Sequence, residues 1–492
     1  MFRGAATVAL ALVITLPLCA QDTIPTPRPL PLDSAPALPP IAEVNQNQAR
    51  LPITLPTALQ LAQANPIDVA LASVRLDTAL AQQSRARAQW LPTVYAGVDY
   101  ARHDGVLQDV SGNIISTDKQ SFMAGAGPGM TLALSEAIFA PLAAQQVVRS
   151  READRQATLN DVMFSVADAY FRVQQARGEV AGNAEALVQT EELVRRTDEL
   201  AKGIVPPSEA NRARTELARR KQALESALER WKVAGADLTR ILRLQAGALV
   251  EPLEPPHLQI QLLDSNCSVD DLISQALTNR PELASRQALV QATLERLRQE
   301  KLRPLIPSVL LHGNATNPAG IISSGVFGGN LGNNPGGFGG RNSIDFQLLW
   351  EFQNLGFGNR AAVRERRADN SQAIFEFFRQ QDQIAAEVVQ ALANAQSADA
   401  RVVEAAEGLK QAKLTYDRSL EGMKTIKSAG EFKVTFVRPS EAISAAQGLA
   451  QASVDFYTAV ADYNRAQFRL YRAIGQPAQY LPGNVNSEPH IR

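Results

Sequence analysis

The chain has 492 residues, enough for several ordinary domains or for one elongated architecture built from repeats. Its 49 Lys and Arg balance 50 Asp and Glu, leaving a formal net charge of −1 and no cationic field to gather nucleic acid. Aromatic residues make up only 6%, which favours long, closely packed helices over a large aromatic core.

Arg3 followed by the apolar stretch GAATVALALVITLPL reads as an export signal over residues 1–20, with Leu18 and Ala20 preceding the cut. The stretch is too short for a comfortable spanning helix, and no later segment offers about 18 uncharged apolar residues. Of the two cysteines, Cys19 falls within the signal and Cys267 would stand alone after cleavage, so no intrachain disulfide is expected. Cys19 is also a candidate for a lipid anchor. Residues 21–50 form a Pro-rich N-terminal extension that suits neither a helix nor a central strand.

The chain then repeats itself. The interval from Pro66 to Pro92 equals that from Pro281 to Pro307, and the second pair follows the first at an offset of 215. At the same offset Val148, Arg149, Arg151, Ala153 and Asp154 fall on Val363, Arg364, Arg366, Ala368 and Asp369. Further along, Asp198 and Gly203 match Asp417 and Gly422 at 219, and VPPSEA matches VRPSEA at 232. The second copy therefore carries four extra residues, close to one helical turn, and then 13 more after Gly422. The predicted boundaries are 51–246 for the first repeat, 247–476 for the second and 477–492 for a C-terminal tail.

Each copy predicts one order of elements. A helix breaks near the first proline, and about 25 helical residues follow, stopping at Pro92 or Pro307. Next come a strand, a polar or Gly-rich loop and a second strand. Val94, Ala96, Val98 and Tyr100 alternate, and Val309 and Leu311 keep their phase. In the second strand of the second copy, Ile344, Phe346, Leu348, Trp350 and Phe352 share a face. In the first copy Phe122, Ala124, Ala126, Met130, Leu132 and Leu134 do so, in a phase that offset 215 does not reproduce. A compensating insertion in the loops would account for that.

Very long helices follow. Val162, Val166, Tyr170, Val173, Val180, Ala184, Leu187 and Val194 form one apolar stripe. Ile384, Val388, Leu392, Ala395, Val402, Ala406 and Leu409 form its partner, at coiled-coil-like spacing. Roughly 60 residues from Leu142 to Lys202 give about 90 Å of helix. The returning helix near Ser208–Leu244 gives about 55 Å, and the helix before the strand supplies the missing length.

Two hairpins make four strands per chain, too few to close a barrel, and open apolar strands invite aggregation. Closure by several subunits removes the edges, and strands of about ten residues cross a bilayer when tilted. A shared barrel in an outer membrane unites the signal, the hairpins and the missing membrane helix.

On these residues the chain resembles the TolC-like outer-membrane efflux proteins over about 51–476. The resemblance rests on the Asn-Pro to Leu-Pro helix before the first strand. It rests also on a helix-turn signature at Gly203, Glu209 and Ala213, with Glu441 and Ala445 in the second copy. The closing pattern Asn464, Ala466, Leu470, Gly475 is the third element. It implies a mainly α, internally duplicated chain whose homotrimer joins a twelve-stranded transmembrane β-barrel to a long α-barrel. Such ducts serve tripartite efflux pumps and type I secretion. Partners would be a periplasmic adaptor (membrane fusion) protein, an inner-membrane transporter and outer-membrane lipid. The resemblance also implies adaptor docking at the periplasmic tips, matching Gly203, Ile204, Val205, Ser208 and Glu209, and Gly422, Lys424, Lys427, Arg438, Ser440 and Glu441. The second tip is longer and more basic than the family pattern.

Nothing points to catalysis or a cofactor. The Gly-rich loop Gly313–Gly340 lacks a Gly-Lys-Ser/Thr ending and does not open a helix. His103, His257, His312 and His490 are scattered, without metal-ligand spacing. Most carboxylates sit beside Arg or Lys on helices, as in RTELARR around Glu216. Trp350 and Phe352 fit a lipid-facing aromatic girdle better than a ligand platform. The sequence thus predicts a passive exit duct and no enzyme. The competing reading is a non-conducting periplasmic or surface coiled-coil scaffold, which has little use for the alternating strand.

Overall fold

A computed structural model describes residues 50–64, 67–244, 249–264, 267–312, 324–331, 336–342, 345–429, 432–476 and 485–486. The signal, residues 21–49 of the Pro-rich extension, Cys19, Ile344 and His490 lie outside these residues, while Arg50, at the end of that extension, is strand. In the first repeat, strand β1 (Arg50–Ile53) leads to α1 (Leu55–Ala64) and α2 (Ile67–Ala88), then to β2 (Thr93–Gln108) and β3 (Ile114–Ala133). Helices α3 (Leu134–Leu200) and α4 (Pro207–Leu242) complete it. Strands β4 (Leu249–Pro252) and β5 (Gln259–Ile260) connect to α5 (Val269–Asn279) and α6 (Pro281–Leu302). Four short strands follow: β6 (Ser308–His312), β7 (Ser324–Leu331), β8 (Gly339–Asn342) and β9 (Asp345–Leu349). Then come α7 (Phe357–Lys424), β10 (Ile426–Ala429), β11 (Phe432–Thr435), α8 (Pro439–Ala473) and β12 (Val485–Asn486).

The duplication is visible in the helices. α2 and α6 each run 22 residues, α3 and α7 run 67 and 68, and α4 and α8 run 36 and 35. At 1.5 Å per residue the long helices measure about 100 Å. α3 packs against α2 and α4, and α7 against α6 and α8, so two shorter helices together flank each long one. Proline opens α4, α6 and α8, where its missing N–H costs no helical bond and its fixed φ suits the first turn. The start of α3 differs from expectation. α3 begins at Leu134, so that residue leaves the strand face assigned to it, and Pro141 lies inside the helix rather than before it. Pro141 is the eighth residue of α3 and cannot donate to the Ala137 carbonyl, which accepts from the Trp90 indole N–H instead (3.0 Å).

Strands β2, β3 and β6 to β9 form one antiparallel sheet. β2 pairs with β3 from Thr93–Gly129 to Gln108–Ile114. On its other side β3 pairs with β6 and, further along, with β7. β9 lies against β6, and β8 against β7. The sheet is thus four strands wide, its third strand built from β6 and β7 and its fourth from β8 and β9. Thr93 opposes Gly129 and Ser308 opposes Leu349, so the first strands keep the offset of 215 while the second strands take one of 220. That five-residue difference explains the phase mismatch between the copies.

Where the repeats meet, buried polar groups tie the chain to itself. Asn464 Nδ2 donates to the Leu258 carbonyl (2.7 Å), and its Oδ1 accepts from the Ile260 N–H (2.8 Å). Gln467 Oε1 accepts from the N–H groups of Leu262 and Leu263. Tyr170 donates to Glu254, and burial, then that hydrogen bond, pushes the phenol well above its usual range. The buried Arg280 pairs with Glu282 and Glu387, while Arg472 reaches Asp161, Glu282 and Glu387, linking α3, α6, α7 and α8. The largest core surrounds Tyr170, Phe171 and Phe468, with a second along α7 and α8 around Ile384, Val388 and Leu470.

Candidate functional site: the helical turns and the apolar sheet face

The turn between α3 and α4 is compact. The N–H groups of Ile204 and Val205 both donate to the Leu200 carbonyl, closing the end of α3. Gly203 and Ser208 are exposed, and Glu209 sits in the first turn of α4, paired with Arg212 at 2.9 Å. A carboxylate there also faces the positive end of the helix dipole.

The second turn is built differently. The insertion that lengthens the second copy after Gly422 contains a β-hairpin, with Ile426 opposite Thr435 and Ala429 opposite Phe432. The Phe436 N–H donates to the Thr425 carbonyl (3.0 Å) and closes its base. Gly422 is buried, and a Cβ there would stand 2.3 Å from Val437 Cγ2, so only glycine lets the returning chain pass so close. Lys424 and Arg438 flank the hairpin and are exposed, and Lys427 lies on β10. Ser440 and Glu441 begin α8 and line a shallow cleft of about 580 Å³ together with Thr415, Ser419, Ser444 and Gly448. The structure brings each turn's predicted residues together locally.

Sequence reasoning missed the hairpin and this cleft. Both left signals: Phe432, Val434 and Phe436 alternate after Gly430, and Ser440, Ser444 and Gly448 recur every four residues.

Behind the turns, Leu193, Ala213, Tyr416, Met423, Ala442 and Ile443 form a third buried core. Tyr416 on α7 donates to the Gln189 carbonyl on α3 (3.1 Å), and burial raises its phenol above the usual value. Gln447 on α8 donates to the buried Glu216 on α4 (2.6 Å), which also accepts from Arg220. Hydrogen bonds from Arg195 and Arg196 hold Glu192 below the usual carboxylate range.

Cross-strand partners share a face, so the register assembles the apolar side of the sheet. Leu132, Val309 and Leu348 form one row, and Met130, Leu311 and Phe346 the next. Further along, Tyr100 opposes Phe122 and Val98 opposes Ala124. Val94, Val98, Phe346 and Leu348 are exposed. The other face mixes small and polar positions, among them Gly97, Asp99, Ser121, Gly125 and Thr131, with Met123, Leu310 and Leu349. Trp350 and Phe352 differ from expectation. They lie beyond the end of β9, on the exposed link into α7, because the chain leaves the sheet at Leu349.

The arrangement of a four-stranded sheet on two long helical hairpins superposes on solved structures. The CmeC outer membrane channel of Campylobacter jejuni superposes with a TM-score of 0.68 at 17% identity, covering 88% of this chain and 87% of that one. The chain has the TolC-like fold. VceC, an outer membrane protein of Vibrio cholerae, gives 0.67 at 14% identity over 86% of this chain and 96% of that one. The open-state MtrE outer membrane channel of Neisseria gonorrhoeae gives 0.66 at 15% over 92% and 98%. The family model described as outer membrane efflux protein matches residues 58–242 of this TolC-like chain, from α1 to the end of α4. No curated protein sequence matches the chain. No helix among the described residues is long and apolar enough to cross a membrane.

Proposed function

We propose that this TolC-like chain is one subunit of a homotrimeric outer-membrane exit duct, in which three four-stranded sheets close into a twelve-stranded barrel. The observation that carries the reading is the sheet. Its apolar face is continuous across strands, and the outer sides of β2 and of β8–β9 have no strand partner among the described residues. Neighbouring subunits would satisfy those edges and lipid would cover that face, with Phe346 and Leu348 directed to it.

Cargo would pass passively from periplasm to exterior. The sequence has no Gly-Lys-Ser/Thr loop, so transport energy is assigned to an inner-membrane transporter joined through a periplasmic adaptor. Gly203–Glu209 and Gly422–Glu441 are the proposed docking turns. The turns and the sheet are assigned to conduction, not catalysis.

Native mass spectrometry of the membrane fraction, paired with planar-bilayer recordings, tests the proposal. A trimer that needs detergent and conducts ions supports it. A soluble monomer or dimer without conductance would leave a coiled-coil scaffold instead.

A further inference from the structure

Between the end of α6 and the start of α7 lies an open cleft of about 740 Å³, at the end of the sheet where β9 gives way to helix. Lys301, Arg360, Arg364 and Arg367 line it, and none of them forms an ion pair with a described residue. One carboxylate, Glu300, lines the same cleft, and Arg303 engages it at 3.3 Å. Four exposed cations against one committed anion leave a local excess of positive charge that favours an anionic ligand.

A second feature points the same way. Asn359, in the first turn of α7, lines the cleft and is only 6% exposed. Its Oδ1 accepts from the Gln353 N–H (2.8 Å), which fixes the amide orientation. Its Nδ2 is buried with no partner among the described residues. A buried donor left without an acceptor costs about 1–3 kcal/mol, so an acceptor from outside the chain is the economical completion.

The repeat shows that the fold does not require this arrangement. At offset 215, Ala86, Ala144, Gln145 and Glu152 occupy the positions of Lys301, Asn359, Arg360 and Arg367, and only Arg149 keeps the charge of Arg364. The first copy builds the same helix junction without the cationic set.

The rim identifies the ligand. Phe352 and Phe357 are exposed and line the cleft, Arg360 lies 6.0 Å from the Phe357 ring centroid, and Leu355 beside them is 92% exposed. Aromatic residues with cations just behind them mark the level of lipid headgroups. We propose that this cleft binds the phosphate headgroup of an anionic phospholipid in the leaflet nearest the helices. Lys301 and the three arginines would hold the phosphate, Asn359 would donate to it, and Phe352, Leu355 and Phe357 would meet the acyl chains. The proposal rests on the outer-membrane reading above.

Full-length protein in nonionic detergent is titrated with phosphatidylglycerol, phosphatidylcholine or glycerol 3-phosphate, and bound molecules are counted by native mass spectrometry. The expected result is one phosphatidylglycerol per subunit, bound about tenfold or more tightly than phosphatidylcholine. R360Q/R364Q/R367Q loses that preference while trimer mass and conductance stay as in the wild type. R366Q, whose arginine pairs with Asp369 outside the cleft, keeps it. Binding of glycerol 3-phosphate as tight as that of the lipid would overturn the lipid assignment in favour of a free phosphate site. A triple variant that dissociates the trimer yet leaves the lipid preference intact would place the arginines at a subunit contact and overturn it too. Detergent dependence and conductance of the wild type read the outer-membrane assignment separately: a conducting trimer without lipid preference sinks only the cleft.

Discussion

Gly178 on α3 and Tyr457 on α8 are so close that a Cβ on the glycine would stand 2.7 Å from the tyrosine ring, with Pro256 Cβ at 3.2 Å. One turn along, a Cβ on Gly182 would meet the Ser453 Cβ at 3.2 Å. Small residues four apart on α3 therefore let the two repeats approach. Gly178→Leu is expected to destabilise the subunit by at least the roughly 1–3 kcal/mol typical of overpacking, read as a lower melting temperature. Combining it with Tyr457→Ala should restore part of the loss. A double variant no more stable than the single one would show that the ring is not the obstacle.

Asn464 satisfies two backbone groups at once, the Leu258 carbonyl and the Ile260 N–H. Asn464→Leu keeps the volume but orphans the Leu258 carbonyl and the Ile260 N–H. The expected cost is about 2–4 kcal/mol, measured by denaturant unfolding of the detergent-solubilised protein. A near-neutral result would mean that water replaces the amide.

The sheet face makes a depth-dependent prediction. Val98 lies well inside β2, whereas Leu348 lies next to the helical end. Val98→Arg should cost about 2–4 kcal/mol in membrane assembly and Leu348→Arg about 0–1, judged from the heat-resistant oligomer in outer-membrane fractions. Normal assembly of both would put this face toward the channel interior.

The basic hairpin of the second turn can be removed cleanly, because Thr425 and Phe436 already meet at its base. Replacing residues 426–435 with Gly-Gly is expected to preserve the oligomer and reduce export by an assembled pump. Unchanged export, scored in a strain carrying the cognate pump, would make the hairpin dispensable.

Alkaline stability follows from a buried phenol. Burial, then the nearby Asp399, pushes Tyr463 up to about 12. A raised acid binds its proton more tightly when folded. Its contribution is complete below the unfolded value of about 10 and is lost as pH rises through the folded value. Thermal melts between pH 9 and 12 should fall more steeply for the wild type than for Tyr463→Phe. The difference is only partial, because burial also raises Tyr170, Tyr416 and Tyr457. Parallel curves for the two proteins would assign the loss to other groups.

Much of this fold is legible along the chain, because proline, helical period and strand alternation are local signals. Pro66–Pro92 and Pro281–Pro307 bracket α2 and α6, and the repeat offsets predict equal pairs of helices. Contacts between distant segments are not legible. Nothing near Arg50 announces that β1 will lie parallel to β4 at Leu249, and nothing near Val485 announces β5. Asn464 is visible as part of a closing motif, but its role depends on Leu258 and on Ile260 of β5, at the far end of the same repeat. The cationic cleft is hidden for the same reason: Lys301 and Arg364 meet only once α6 and α7 are packed.

The β10–β11 hairpin occurs on one of the two turns in each subunit. Around the proposed threefold axis, the periplasmic end would present six turns of two unlike kinds in alternation. A binding partner that grips the hairpin finds three seats, as does one that needs the bare turn. One that contacts only features shared by both finds six. The number of partner molecules per duct therefore reports which turn they grip, and deleting the hairpin would move that number from three to six or from three to none.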